Sequence, residues 1–494
     1  MLDNIILGFA TAFSLAGLSY AAIGVVLGNI VGVLPGLSAL ATIALLLPLT
    51  YGLDPTYALI MLAGIYYGTS FGGAISAILL NLPGTSIHAV VCLDGHPMAK
   101  QGRGGAALFM SMFSSFFGVL VGVILMAFFS PIITEVATSF GAVEYCALML
   151  LGLVAAAALS TESVVKSIAS VLFGLLLGVV GMDANTGVLR LDFGISQLQD
   201  GFSIVALAMG LFGIADIFAN AGEIPDNSFQ KVKTSSVRPT RQELREGTGA
   251  TVRGSLVGSF FGALPGTGST IASFISYAIE KKVSKTPEKF GKGALQGVAG
   301  PEAANSSATI TAFIPTLTLG IPGDGLMALM LGAMMLHNVQ PGPLLMIQHP
   351  ALFWGLVISF LIGNAFLLII NIPLIGIWIK LLSIHYRILY PIVLFLICIG
   401  VFSANNDIFA VYVVLGIGFF GYVLSSLGFS PAPLLLGFVL GPMIEQSFRR
   451  ALIMSRGDLS VFLTSPVSAV CLAAILLLLV SFGVSALRRK AATS

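Results

Sequence analysis

Four proline-glycine pairs interrupt apolar runs of the sequence: Pro35-Gly36, Pro83-Gly84, Pro265-Gly266 and Pro322-Gly323. Proline removes a helix hydrogen bond and glycine permits a sharp turn, so each pair is expected to break a helix. A broken helix exposes backbone amides that attract anions, and unwound carbonyls that can coordinate Na⁺. The breaks therefore favour a binding site over incidental kinks.

Small polar side chains surround these breaks, and hydroxyls and amides can both bind a carboxylate and ligate Na⁺. For any single Ser or Thr, helix–helix hydrogen bonding is the simpler interpretation. No catalytic residue is predicted, and a Na⁺ site is expected near Asn305 and Asp324. The predicted substrate- and ion-binding residues are Pro35, Gly36, Thr69, Ser70, Asn81, Pro83, Gly84, Thr85, Ser86, Pro265, Gly266, Thr267, Gly268, Ser269, Thr270, Glu302, Asn305, Ser306, Ser307, Thr309, Pro322, Gly323 and Asp324.

Two acidic residues lie beside broken segments. Glu302 stands in the run 300–305 and Asp324 directly follows Pro322-Gly323. Acids at membrane depth are rare and usually functional, so both are candidates for coupling to a cation or a proton. The alternative is that each caps a half-helix.

The composition excludes most soluble classes of protein. Only 9% of the 494 residues are charged, against ~25% in an average soluble protein. The mean hydropathy is +1.01 and the net charge is +2. These values exclude a soluble enzyme, a disordered regulator and a nucleic-acid binder. They predict an all-α polytopic membrane protein in a lipid bilayer, with roughly 10–14 membrane segments of about 20 residues each.

The two halves of the chain repeat one another. Four glycines spaced by four residues begin at Gly24 and again at Gly254, 230 residues later. A second block at 77–85 recurs at 316–324, now 239 residues later. Such glycines let helix backbones approach closely. The sequence thus predicts a first transmembrane repeat (1–221), a cytoplasmic linker (222–253), a second repeat (254–460) and a C-terminal transmembrane helix with a tail (461–494).

Basic loops occupy non-equivalent places in these repeats. The loop 280–293 is basic but its counterpart near Thr50 is not, and the loop containing Lys100 and Arg103 has an uncharged counterpart at 334–343. The positive-inside rule then predicts two inverted-topology repeats with broken or re-entrant helices. The run 431–446 is also expected to be interrupted, by Pro431, Pro433 and Pro442. The C-terminal arginines do not fit single crossings; a re-entrant segment in this run is one resolution, which the sequence leaves open.

No enzyme motif is present: the sequence has no P-loop, HExxH, CxxC or nucleophile elbow. A non-enzymatic protein without a cofactor is predicted, driven by a Na⁺ or H⁺ gradient or by the substrate gradient itself. A secondary transporter is favoured. The alternatives are a passive anion channel, which would need charge rings that are not visible, and a membrane-embedded enzyme.

Several long motifs resemble the large permease subunit of tripartite tricarboxylate transporters, the TctA family. They include 28–37, 79–84, 94–102, 300–305 and 340–345, in the family's order, over about residues 10–450. The resemblance implies a multi-pass protein of the bacterial inner membrane that takes up carboxylates with Na⁺ or H⁺. It also implies two partners, a small membrane subunit and a periplasmic solute-binding protein. A homodimer is left open.

The sequence departs from the family pattern at two equivalent positions. Members of the family usually have Glu where Thr85 stands, and a small residue where Asp324 stands. We therefore hypothesise that the acid has moved from one repeat to the other, so that the charge of the site is kept.

Overall fold

The computed structural model describes residues 2–34, 38–82, 86–158, 163–183, 185–220, 240–264, 266–381, 386–405 and 407–493. Six predicted site residues, Pro35, Gly36, Pro83, Gly84, Thr85 and Pro265, lie outside the described residues, as does most of the predicted linker 222–253. The structure is 82% helical with almost no strands, which confirms the all-α class.

The first half of the chain contains ten helices and one short hairpin among its described residues. In chain order these are α1 (Leu2–Ala12), α2 (Leu15–Val33), α3 (Ala39–Leu46), α4 (Pro55–Leu80), α5 (Ala89–Met98), α6 (Gly104–Ala137), α7 (Ala142–Ala158), α8 (Val164–Gly178), strands β1 (Gly181–Met182) and β2 (Leu189–Arg190), α9 (Ile204–Ala208) and α10 (Ala215–Asn220). The strands pair antiparallel. A π-helical turn, Met209–Ile214, joins α9 to α10.

The second half begins at residue 240. Its described helices are α11 (Arg241–Gly262), α12 (Gly268–Val283), α13 (Gln296–Thr311), α14 (Phe313–Leu319), α15 (Gly325–Leu336), α16 (Leu345–Gln348), α17 (Pro350–Leu381), α18 (Tyr386–Asn405), α19 (Ile408–Ser426), α20 (Pro431–Met454), α21 (Val461–Thr464) and α22 (Pro466–Thr493).

Left-handed residues stop the helices that lead into two of the breaks. α4 ends at Asn81, whose φ is 59° and whose N–H donates to the Ala77 carbonyl. α14 ends at Gly320, with a φ of 70° and a bond to the Pro315 carbonyl. Gly and Asn tolerate this conformation best, so the local sequence fixes where each helix stops.

The spaced glycines bring helix backbones into contact, as predicted. A Cβ added to Gly24, Gly28 or Gly32 of α2 would overlap the carbonyls of Met61, Ile65 or Thr69 of α4. In the second half Gly254, Gly258 and Gly262 of α11 face Gly300, Ala304 and Ala308 of α13 in the same way. Each of these α13 residues follows its α4 counterpart by 239 residues, so the structure pairs the helices as the repeats align them.

Helices from the two halves also pack against one another. α6 of the first half lies along α13 and α11, and α17 of the second half lies along α4 and α2. Farther along the chain α20 packs on α8 and α7, while α19 packs on the turn between α9 and α10. The halves therefore form one interlocked body.

Length and composition make the chain a multi-pass membrane protein. Within the described residues, five segments are long and apolar enough to cross a membrane: Leu15–Val33, Pro55–Leu80, Ala89–Ala137, Pro350–Asn371 and Ile408–Ser426. Eight shorter apolar helices accompany them. One expectation is wrong, because 431–446 does not break. Pro431 and Pro433 occupy the first turn of α20, where a helix N–H needs no partner, and the helix continues past Pro442 to Met454.

The continuous α20 places its arginines away from the basic loops. The Gln101 side chain donates to the Lys292 carbonyl at 2.8 Å, so those loops share one end of the molecule. At the far end of α6, Thr134 contacts Met346 of α16, and Gln348 of the same short helix lines the same cavity as Arg450. Arg449, in the last turns of α20, forms an ion pair with Asp183 at 2.8 Å. The C-terminal part of α20 therefore lies at the opposite end.

Candidate functional site

The two breaks of the second half meet. The N–H of Gly266 donates to the carbonyl of Gly323 at 2.7 Å. α12 begins at Gly268 and α15 at Gly325, so the N-termini of two half-helices converge at this contact. Helix N-termini carry partial positive charge and unpaired N–H groups, which favour an anion.

Asp324 lies at the same contact. Its Oδ1 accepts a hydrogen bond from the Met327 N–H at 2.9 Å, which caps α15. Its Oδ2 points toward the start of α12, since a Cβ added to Gly268 would lie 3.5 Å from that oxygen. One carboxylate oxygen is therefore structural, and the other faces the junction of the half-helices.

Six polar side chains from both halves gather beside this junction. We name them the break cluster: Tyr66, Ser70, Ser269, Asn305, Thr309 and Asp324. The Asn305 side-chain amide donates to the Ser70 hydroxyl at 2.8 Å. The Tyr66 phenol, 1% exposed, lies close to the hydroxyls of Ser269 and Thr309 and to the Asp324 carboxylate. Four of the predicted site helices, α4, α12, α13 and α15, are thus brought together.

The contacts within the break cluster repeat across the two halves. Asn305 stands 239 residues after Tyr66, and Thr309 stands 239 residues after Ser70. The contact between Asn305 and Ser70 is therefore equivalent to the contact between Tyr66 and Thr309. The cluster lies where α4 and α13, the equivalent helices of the repeats, face one another.

Two oxygen atoms of the cluster lack partners. Neither Oδ1 of Asn305 nor Oγ1 of Thr309 has a hydrogen-bond partner among the described residues, although both residues are buried. Buried polar atoms are normally satisfied, so these two are available to a ligand. Neutral oxygens suit Na⁺, and the cluster hydroxyls suit a carboxylate. No group of three His, Cys, Asp or Glu side chains that could hold a metal ion occurs in the described part of the chain.

Other predicted residues make ordinary structural bonds. The Thr69 hydroxyl bonds the Ile65 carbonyl at 2.7 Å, and the Ser307 hydroxyl bonds the Ser255 carbonyl at 2.7 Å. The Thr267 hydroxyl bonds the Phe261 carbonyl at the end of α11 and the Leu264 carbonyl just after it, the latter at 2.9 Å. Asn81 caps α4, Ser86 begins a short 3₁₀ turn, and Thr270 is half-buried on α12.

Glu302 and Ser306 lie on a different face of α13, toward α6. Ser306 packs against Gly118 of α6, since a Cβ added to that glycine would lie 3.1 Å from the Ser306 Cβ. Glu302 is 1% exposed and accepts a bond from the Ser115 hydroxyl at 3.1 Å, with the Ser111 hydroxyl beside it. The structure therefore separates Glu302 from the break cluster. The serines of α6 were not predicted, because nothing in their spacing marks them as partners of a residue 187 positions away.

Asp94 was also not predicted as a site residue, and it is fully buried. Its Oδ1 accepts from the N–H groups of Gly291, Gly293 and Ala294 at 2.8 to 2.9 Å, and its Oδ2 accepts from the Tyr277 hydroxyl at 2.9 Å. Asp94 thereby ties α5 to the loop between α12 and α13.

A large cavity lies at the end of the molecule opposite the basic loops. Its volume is about 1130 Å³, and its lining includes Gln340, Gln446 and Arg450. It reaches Leu319, next to the break at Gly320, but none of the predicted site residues lines it. It leads toward the break from the surface.

Comparison with known proteins identifies the family of this chain. The model of the tripartite tricarboxylate transporter TctA family matches residues 18–436. An uncharacterized 52.8 kDa protein of the TAR-I ttuC′ 3′ region of Agrobacterium vitis is 47% identical over 473 residues, covering 96% of this chain and 94% of the relative. A protein of the TAR-II ttuC′ 3′ region of the same organism is 54% identical over 212 residues, covering 43% of this chain and 88% of the relative. No solved structure matches.

Proposed function

Because the chain belongs to the TctA family and is therefore the permease component of a tripartite tricarboxylate transporter, we propose that it takes up a di- or tricarboxylate by secondary active transport. The substrate binds at the break cluster, and Na⁺ or H⁺ is the coupling ion. The protein resides in the bacterial inner membrane as two inverted repeats. A small membrane subunit accompanies it, and a periplasmic solute-binding protein delivers the substrate.

The convergence of two half-helix N-termini carries this proposal. The bond between Gly266 and Gly323 holds α12 and α15 with their positive ends at one place. A carboxylate there receives hydrogen bonds from backbone amides and from the hydroxyls of Tyr66 and Ser269. In other transporters with discontinuous helices, half-helix N-termini bind substrate carboxylates in this manner.

The unpartnered oxygens of Asn305 and Thr309 support a cation site beside the substrate. Together with Oδ2 of Asp324 they offer Na⁺ one charged and two neutral ligands. A cation bound there lowers the repulsion between Asp324 and an incoming carboxylate. Substrate and ion then favour one another's binding, which is the requirement for symport.

Counterflow in proteoliposomes tests this function. The permease is reconstituted with its small subunit, the solute-binding protein is added outside, the vesicles are loaded with an unlabelled carboxylate, and entry of labelled citrate, succinate or tartrate is followed. A carrier is expected to saturate and to be stimulated by substrate on the opposite side. Non-saturating flux without such stimulation would identify the alternative function, a passive anion channel.

A matched pair of variants tests the location of the site. Asn305→Ala removes the contact with Ser70 and an oxygen of the cluster, so we expect the apparent KM for substrate or Na⁺ to rise about tenfold, which corresponds to ~1.4 kcal/mol of binding free energy. Asn364→Ala is the control, since Asn364 is a buried asparagine that donates to the Phe116 carbonyl at 3.0 Å outside the cluster. Equal effects of both variants would argue against this location.

A further inference from the structure

Glu302 is a buried carboxyl group without a charged partner. Its Oε2 receives the Ser115 hydroxyl at 3.1 Å, and its Oε1 has no hydrogen-bond partner among the described residues. In the described part of the chain no Lys, Arg or His forms an ion pair with it. An ionised carboxylate held in this way would cost several kcal/mol.

None of the charged groups described on the helices around α13 bonds Glu302. On α11 and α12, Arg253 and Glu280 bond each other at 2.8 and 2.6 Å. On α5, Asp94 is bound by Tyr277 and by loop amides.

The remaining neighbours of Glu302 are uncharged. α6 presents only Ser111 and Ser115 to the carboxyl group, and α14 carries no titratable residue. α4 contributes Tyr66 and Tyr67, whose rings pack against Phe313 and Phe360. Among the residues that the structure describes, no charged group therefore compensates an ionised Glu302.

A protonated carboxyl group fits this environment. The neutral acid accepts one hydroxyl bond at Oε2 and carries its proton on the other oxygen, with no charge to solvate. Glu302 also lies one helical turn before Asn305 on α13, but on the face toward α6. A change in its protonation state can therefore act on the break cluster through one rigid helix, without the carboxyl group touching the substrate.

We propose that Glu302 is a proton-carrying site, separate from the break cluster, that binds the proton transported with the carboxylate. The proton adds to the Glu302 carboxylate before the substrate crosses, and water accepts it on the other side. The structure corresponds to the protonated state. This inference rests on the proposed function and names a coupling ion for it.

The test uses the complete reconstituted transporter with two measurements. Substrate exchange by counterflow needs no net proton movement, whereas accumulation driven by a pH gradient, with a pH dye in the lumen, does. Glu302→Gln mimics the protonated acid, so we expect exchange within about threefold of wild type and a complete loss of pH-driven accumulation and lumen acidification. Glu445→Gln is the control, because Glu445 pairs with arginines at the molecular end, and it should keep both activities.

Ser115→Ala provides a second, milder test of the same proposal. Loss of a hydroxyl that stabilises the carboxylate should move the pH profile of uptake toward higher pH, an effect that a merely structural serine would not have. This variant also covers the case in which Glu302→Gln fails to fold.

The outcomes separate the two proposals. If wild type shows no counterflow, the proposed function fails. If wild type exchanges substrate but Glu302→Gln still accumulates it along a pH gradient, or Ser115→Ala leaves the pH profile unchanged, the proton site is wrong. Loss of Na⁺-driven uptake in Glu302→Gln, with proton-driven uptake intact, would reassign the site to Na⁺.

Discussion

Asp94 and Glu302 are buried to the same degree but are satisfied differently. Asp94 accepts four hydrogen bonds, three of them from backbone N–H groups of one loop. Glu302 has only hydroxyl groups beside it and one oxygen without a partner. Backbone N–H groups can only donate, whereas a rotating hydroxyl can donate to a carboxylate or accept from a carboxylic acid. Burial alone therefore does not distinguish a structural acid from a candidate functional one. The kind and number of hydrogen-bond donors around the carboxyl group distinguish them.

The largest effect is expected from Asp94→Ala. It leaves three loop N–H groups and the Tyr277 hydroxyl without their acceptor, at a cost of about 3 kcal/mol or more in stability. Thermal unfolding of the detergent-purified protein should occur at lower temperature, with faster proteolysis in the loop 284–295. Glu135→Ala, an exposed acid, is the control, and equal stability of the two variants would show that Asp94 is not structural.

Removing one donor from each acid sharpens the contrast. Tyr277→Phe should lower the free energy of unfolding by about 1.5–3 kcal/mol, because a hydrogen bond to a charged group is lost. Ser115→Ala should lower it less, since Glu302 carries no charge in this state. Denaturation curves of the two variants measure the difference. If Ser115→Ala lowered the free energy of unfolding as much as Tyr277→Phe does, the hydrogen bond to Glu302 would be as strong as the one to Asp94, and the contrast between the two acids would be wrong.

Asp324 is an intermediate case, with one oxygen that caps α15 and one that faces the start of α12. Asp324→Ser keeps the helix cap, since serine caps well, but removes the charge. We expect uptake to fall about tenfold, or ~1.4 kcal/mol of activation free energy. Thr85→Glu in the same chain should restore part of it, as the displaced-acid hypothesis requires. A double variant no better than Asp324→Ser would refute that hypothesis.

The smallest effect concerns Asp183, which lies in the loop after α8. Bonds from the Asn185 N–H and the Arg449 guanidinium lower the pKa of its carboxyl group from 3.8 to about 2. Because the pKa is lower in the folded state, the Asp183 carboxylate stabilises the fold at pH values above its ordinary pKa of 3.8. This stabilisation is lost as the pH falls through about 2. Asp183→Asn should therefore be slightly less stable than wild type at pH 7, and the difference should shrink below pH ~4. A difference that does not depend on pH would exclude this charge effect.

The sequence predicted the features that depend on local chemistry. Pro-Gly pairs and spaced glycines act locally, so the helix ends beside the breaks and the glycine-lined faces of α2 and α11 were predicted, whereas their partners α4 and α13 emerged only from the structure. The failure at 431–446 has a local cause, because prolines in the first turn of a helix do not break it. Directions around a helix were harder to predict. Glu302 and Asn305 are three residues apart, and only the positions of α4 and α6 show that they serve different surfaces.

The glycine contacts have a mechanical consequence. Where carbonyls of α4 rest on the backbone of α2, no side chain lies between them that could change rotamer and permit sliding. Each glycine-lined pair must therefore translate as a single rigid unit, and any large displacement during a transport cycle is confined to boundaries with side chains, such as α15 against α20. Amide hydrogens of α2 and α11 should accordingly exchange more slowly than those of α15, whichever way the transporter faces.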